Sequence, residues 1–69
     1  MDYRKLKGKI TEIFGSQKAF AEALGVSYTS LNHRLNGKLS WKIIEIEKAC
    51  ELLKIIPEEI HLYFFTPKV

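Results

Sequence analysis

Polar side chains between residues 29 and 38 are suited to hydrogen bonding with double-stranded DNA. Thr29 offers a hydroxyl and a methyl group to base edges, Asn32 an amide suited to adenine, and Lys38 a point charge for phosphate. The same stretch is poorly suited to catalysis, because no Ser or Cys nucleophile has a plausible relation to His33, and His61 lies on another segment. We therefore expect a binding protein and not an enzyme.

The cysteine and histidine content argues against a metal site. Cys50 is the only cysteine in the chain, so an internal disulfide is excluded. One thiol and two histidines are too few ligands for a zinc site. We expect no metal and no other cofactor, and we expect Cys50 to be a small core residue.

The net charge of +3 is unevenly distributed. Residues 1–42 carry eight Lys or Arg against three acidic residues, which gives +5, whereas residues 43–69 carry three against five, which gives −2. A basic front and an acidic back suit a protein that turns one face to a polyanion, although an ordinary solvated surface accounts for the charge equally well. No apolar run is long enough for a membrane span or a signal peptide, so we expect an intracellular protein.

Apolar residues recur at helical spacing along almost the whole chain, which predicts one all-α domain of five short helices over residues 1–69. We expect Gly15 to end the first helix and Ser16 to cap a second, Gln17–Leu24. We expect Ser27 to cap a third helix, Tyr28–Leu35.

The second half of the chain predicts two further helices. Ser40 is expected to cap the fourth, from Trp41 to about Leu53, and Pro57 to begin the fifth. The buried stripe of the fourth helix is predicted to contain Ile43, Ile46, Cys50 and Leu53, and its solvated face Glu45, Glu47 and Glu51. Residues 61–66 are compatible with a last helical turn or with a short extended tail.

The residues between the second and third helices fit a helix-turn-helix. Gly25 stands where the chain must turn left-handed, and Ala21 is small enough for the two backbones to approach closely. Val26, just beyond the turn, is placed to fill the wedge between the helices, and Ser27 caps the second helix of the pair.

This segment resembles the helix-turn-helix of the Cro/repressor family, whose members share the five-helix lambda-repressor-like fold. The resemblance is strongest over residues 16–38 and weaker through the fourth helix and residues 57–60. The whole chain further resembles small regulators of the lysis–lysogeny switch in temperate phages. Some of these bind DNA as Cro does, and others, called modulators of repression, bind the partner repressor. The resemblance implies the cytoplasm of a bacterial host as the site of action.

The resemblance also implies a set of DNA contacts. Gln17 is expected to reach a phosphate, Tyr28 and Thr29 to read bases, and the residues one turn later to lie on the groove side. The full set is Gln17, Ser27, Tyr28, Thr29, Asn32, His33, Asn36 and Lys38.

Arg34 departs from the family pattern, because an apolar residue is usual at its position. We expect the core role of this position to pass to Leu35, four residues after Leu31. In a modulator, Arg34 could pair with a carboxylate of the repressor. The aromatic tail, residues 61–69, is expected to contact a partner or to form a homodimer, with Ile44 joining that surface. The candidate partner-binding residues are therefore Tyr28, Asn32, Arg34, Leu62, Tyr63, Phe64 and Phe65.

Two functions remain open on the sequence alone. The first is a Cro-like transcriptional regulator that binds operator DNA through residues 28–35. The alternative is a modulator of repression that binds the phage repressor and masks its DNA-reading helix. The four polar residues Gln17, Thr29, Asn32 and Lys38 place DNA binding first. The low net charge and the departure at Arg34 favour the alternative.

Overall fold

Capping serines and left-handed glycines divide the chain into short helices. The computed structural model describes residues 2–65, in which the helices are α1 (Arg4–Phe14), α2 (Gln17–Leu24), α3 (Tyr28–Leu35), α4 (Ile43–Leu53) and α5 (Ile60–Phe64), the last preceded by a 3₁₀ turn at Pro57–Glu59. No strand occurs among these residues. The predicted all-α domain of five helices is confirmed. None of the helices within residues 2–65 has the length and apolarity that crossing a bilayer requires.

The ends of α1, α2 and α3 follow from local chemistry. The Oγ atoms of Ser16 and Ser27 each accept a hydrogen bond from the backbone N–H three residues later, at 3.1 and 3.0 Å. Such caps contribute about 1 kcal/mol each, because they satisfy N–H groups that have no partner within the helix. Gly15 and Gly25 end α1 and α2 with φ of +82° and +88°. All four residues act as predicted.

The core lies where α1, α2 and α4 meet. Leu6, Ile10, Phe20, Leu31 and Leu53 are fully buried, and Val26 packs against this cluster as the wedge between α2 and α3. Cys50 is also buried, as its place on the apolar stripe predicted. The core therefore includes residues of α2, which precedes the turn, and of α3, which follows it.

The start of α4 differs from the prediction. The N-cap is Lys42 and not Ser40, because the Glu45 carboxylate accepts a hydrogen bond from the Lys42 N–H at 2.9 Å. Ile43, predicted to be buried, is 76% exposed. The buried stripe of α4 is centred on Ala49, and a turn of about 100° per residue carries Ile43 off this stripe.

The aromatic segment folds back onto the domain as α5. Tyr63 and Phe64 are buried, so the expectation that they form an exposed partner surface is wrong. The ring of Phe64 packs edge-on against Trp41, with centroids 5.1 Å apart, and the Lys5 ammonium lies 5.3 Å from the centroid of the Tyr63 ring. Phe65 remains exposed. Of the predicted tail, residues 66–69 lie outside the described residues.

Candidate functional site

The exposed side of α3 carries no Lys, Arg, Asp or Glu side chain. Leu31 and Leu35 are buried against the core, and this leaves Tyr28, Thr29 and His33 exposed and Asn32 half-buried. We call these four residues the α3 face. The structure thus brings together the central members of the set that the sequence predicted to contact DNA.

The amide of Asn32 in the α3 face and that of Asn36 beside it already form hydrogen bonds within the protein. Asn32 Oδ1 accepts a hydrogen bond from Asn36 Nδ2 at 3.0 Å, and Asn36 Oδ1 accepts one from Lys7 Nζ on α1 at 3.4 Å. An adenine bound by Asn32 would have to share the amide oxygen with Asn36. This chain of contacts also ties the end of α3 to α1.

The other predicted DNA contacts lie at the ends of the two helices. Gln17 is the first residue of α2 and is half-buried, and Lys38 is exposed beyond the end of α3. Ser27 Oγ is occupied as the cap of α3. The set is therefore distributed over the start of α2, the α3 face and the segment that follows it.

Arg34 lies inside the protein, where it pairs with Glu45. Its residue exposure is 6%, and its Nε and Nη2 atoms donate to the two carboxylate oxygens of Glu45 at 3.0 and 2.8 Å. The prediction that Arg34 lies on a partner surface is wrong, because the first turn of α4 supplies an internal carboxylate for it. The prediction that Glu45 lies on a solvated face is wrong for the same reason.

The hydrogen bonds at Glu45 keep its carboxyl group ionised. Burial raises the pKa of Glu45, but the hydrogen bonds from the Lys42 N–H and the Arg34 guanidinium outweigh it and hold the pKa below its ordinary value. The pair joins the last turn of α3 to the first turn of α4. It also neutralises the only Lys or Arg that α3 contains.

The outward side of α4 presents a second surface. The sequence predicts Glu47, Glu51 and Ile44 on an exposed side of this helix, but it does not predict the exposure of Ile43. Ile43 and Ile44 are 76% and 73% exposed, and Glu47 and Glu51 are exposed beside them. We call these four residues the α4 face. A signal was present in the sequence, since two adjacent isoleucines cannot both lie on one narrow buried stripe.

Comparisons with known proteins extend over nearly the whole chain. A family model described as "Protein of unknown function (DUF739)" matches residues 1–67. The chain belongs to this family. The DUF739 chain is also similar to the modulator of repression (MOR) of the temperate bacteriophage TP901-1 from Lactococcus lactis, known from a solution structure. The identity is 47% and the TM-score 0.83, over 99% of this chain and 92% of that one. The curated proteins contain no match to the sequence.

The similarity of the DUF739 chain to the TP901-1 protein is not limited to the predicted helix-turn-helix. A coverage of 99% includes both the α3 face and the α4 face. The expected resemblance to small regulators of temperate phages is therefore confirmed in both sequence and fold. The resemblance to the Cro-like members of that group is not confirmed.

Proposed function

We propose that this DUF739 protein is a modulator of repression, which binds the repressor of a temperate phage in the bacterial host cell and hinders its binding to operator DNA. The observation that carries the proposal is the 47% identity to TP901-1 MOR over nearly the full length of both chains. This similarity reverses the order in which the sequence alone placed the two functions.

The charge of α3 supports a protein partner. Contacts between cations and phosphates supply most of the non-specific affinity of a DNA-binding protein. Arg34, the only Lys or Arg in α3, is neutralised by Glu45 inside the protein. Without that cation α3 has one contact fewer with phosphate, which favours a protein over DNA as the partner of the chain.

Operator binding by the α3 face is the second candidate. It is favoured by the exposure of Thr29 and His33 on one side of α3 and of Lys38 beyond its end. In this case Thr29→Ala and Asn32→Ala should each weaken binding to the true site by about 1–3 kcal/mol, and Lys38→Ala should weaken binding to all sequences alike.

Displacement of operator DNA from the repressor tests the proposal. The full chain is titrated into a complex of labelled operator DNA and the repressor of the same phage, and DNA release is followed by gel shift and fluorescence anisotropy. A parallel titration into operator DNA alone is run at about 50 and 200 mM salt, because phosphate-dominated binding falls steeply over this range.

The two candidates give opposite results. A modulator forms a complex with the repressor in analytical ultracentrifugation, releases the DNA, and binds operator DNA weakly when alone. A chain that ignores the repressor and shifts operator DNA as a dimer contradicts the proposal and establishes the Cro-like function.

A further inference from the structure

The α4 face is unusual for a surface that contacts only water. Ile44, Glu47 and Glu51 follow one another at spacings of three and four, so they lie along one side of the helix, with Ile43 at its edge. Ile43 and Ile44 are the most exposed large apolar side chains within residues 2–65. Two large apolar side chains exposed at adjacent positions, beside carboxylates, favour an interaction site over a purely solvated surface.

The charge of the α4 face is negative and uncompensated. Glu47 and Glu51 have no ion pair within the part of the chain that the structure describes. The neighbouring Lys48 is directed elsewhere, since its ammonium lies over the α2–α3 turn, 3.6 Å from where a side chain at Gly25 would begin. The face therefore combines two isoleucines with two free carboxylates, in contrast to Glu45, which is paired internally.

This combination indicates the kind of partner that fits. A carboxylate-bearing face repels DNA and attracts a cationic protein surface. A repressor must present Lys and Arg side chains where it contacts phosphates, so that surface complements Glu47 and Glu51. The α3 face offers no carboxylate, and Lys38 beyond it would repel such a surface.

We infer that the α4 face, and not the α3 face, docks onto the cationic DNA-contacting surface of the repressor, an inference that rests on the proposed function. Glu47 and Glu51 pair with phosphate-binding cations of the repressor, and Ile43 and Ile44 bury apolar area at the centre of the contact. The DUF739 protein and operator DNA then compete for the same surface of the repressor, and a complex of all three does not form.

Charge reversal on α4 tests the inference. The variant E47K/E51K is compared with E58K/E59K, which makes the same change in net charge at exposed positions on the 3₁₀ turn. Binding to the repressor is measured by isothermal titration calorimetry, and helix content by circular dichroism. We expect E47K/E51K to weaken binding ~100-fold, because like charges then oppose one another, and E58K/E59K to change it less than ~3-fold.

Two further variants separate the contributions of charge and apolar area. E47Q/E51Q keeps the shape and polarity of the side chains, removes only their charge, and should reduce the salt dependence of binding. If E47K/E51K loses helix content, E47Q/E51Q still shows whether the charge of the two carboxylates contributes to binding. I43S/I44S should weaken binding ~10-fold or more through lost apolar burial.

Several results would overturn the inference. The first is that E47K/E51K and E47Q/E51Q bind the repressor with wild-type affinity while T29A/H33A no longer binds it. The α3 face would then be the contact. Another is a stable complex of protein, repressor and operator DNA. A third is a homodimer of the wild type that E47K/E51K dissociates, because a second copy would then cover the face. If the wild type fails to bind the repressor at all, the proposed function itself is wrong.

Discussion

Removal of the Glu45 carboxylate should destabilise the fold strongly. In Glu45→Ala the Arg34 guanidinium stays buried at 6% exposure without its hydrogen bonds of 3.0 and 2.8 Å, and the Lys42 N–H loses its cap. Breaking a buried ion pair by removing one partner costs about 3–5 kcal/mol. We expect a loss of about 3 kcal/mol, at the lower end of that range, because the Glu45 side chain keeps 13% of its exposure to solvent.

A double-mutant cycle isolates the interaction. Urea unfolding followed by circular dichroism gives the stability of the wild type, Arg34→Ala, Glu45→Ala and the double variant. A domain of this size has a total stability of roughly 3–10 kcal/mol, so the single variants should unfold at much lower urea. We expect a coupling of about 2 kcal/mol between the two residues. A coupling below about 0.5 kcal/mol, typical of exposed pairs, would refute the role assigned to the pair.

The same pair should make the fold sensitive to acid. Burial raises the pKa of Glu45, and the hydrogen bonds from Lys42 and Arg34 outweigh it and leave the pKa lower in the folded chain than in the unfolded one. The stability that the carboxylate contributes is therefore complete above the ordinary value of about 4.3. It is lost as the pH falls through the lower, folded-state pKa. Glu45→Gln, which does not titrate, should flatten this part of the stability profile.

Four other substitutions and one labelling experiment test the fold. Phe64→Ala should cost about 3–5 kcal/mol in thermal or urea unfolding, whereas Phe65→Ala, at an exposed position, should cost less than about 1 kcal/mol; equal losses would contradict the packing of α5. Gly25→Val should destabilise by more than about 1 kcal/mol, because a β-branched residue is strained at a φ of +88°. Gly8→Ala, in the exposed interior of α1 with nothing within 4 Å of the added carbon, should stabilise by about 0.5–1 kcal/mol. Burial raises the pKa of the Cys50 thiol, so iodoacetamide should label native protein slowly at neutral pH and unfolded protein fast.

The bounds of α2 and α3 were predictable because their ends are determined locally. Ser16 and Ser27 hydrogen-bond to N–H groups three residues away, and Gly25 provides a backbone conformation that other residues rarely adopt. Neither interaction depends on distant parts of the chain. The sequence was therefore sufficient for the element that carries the α3 face.

The start of α4 and the place of Arg34 were not predictable in the same way. Both depend on a contact between residues eleven positions apart, in which Glu45 binds Arg34 and caps α4 at once. Taken alone, Arg34 is a charged residue on a short helix, and such residues are usually exposed. Phe64 escaped prediction for a related reason, since its burial needs Trp41 to be held opposite α5.

The inward position of Arg34 has a consequence for the concentration of the protein that is free in a cell. A bacterial chromosome offers millions of non-specific sites, and a basic helix-turn-helix spends most of its time on them. A protein whose α3 provides no cation for phosphate has one contact fewer to hold it on non-specific DNA. Under the proposed function, a larger share of its copies would remain free of DNA and available to the repressor.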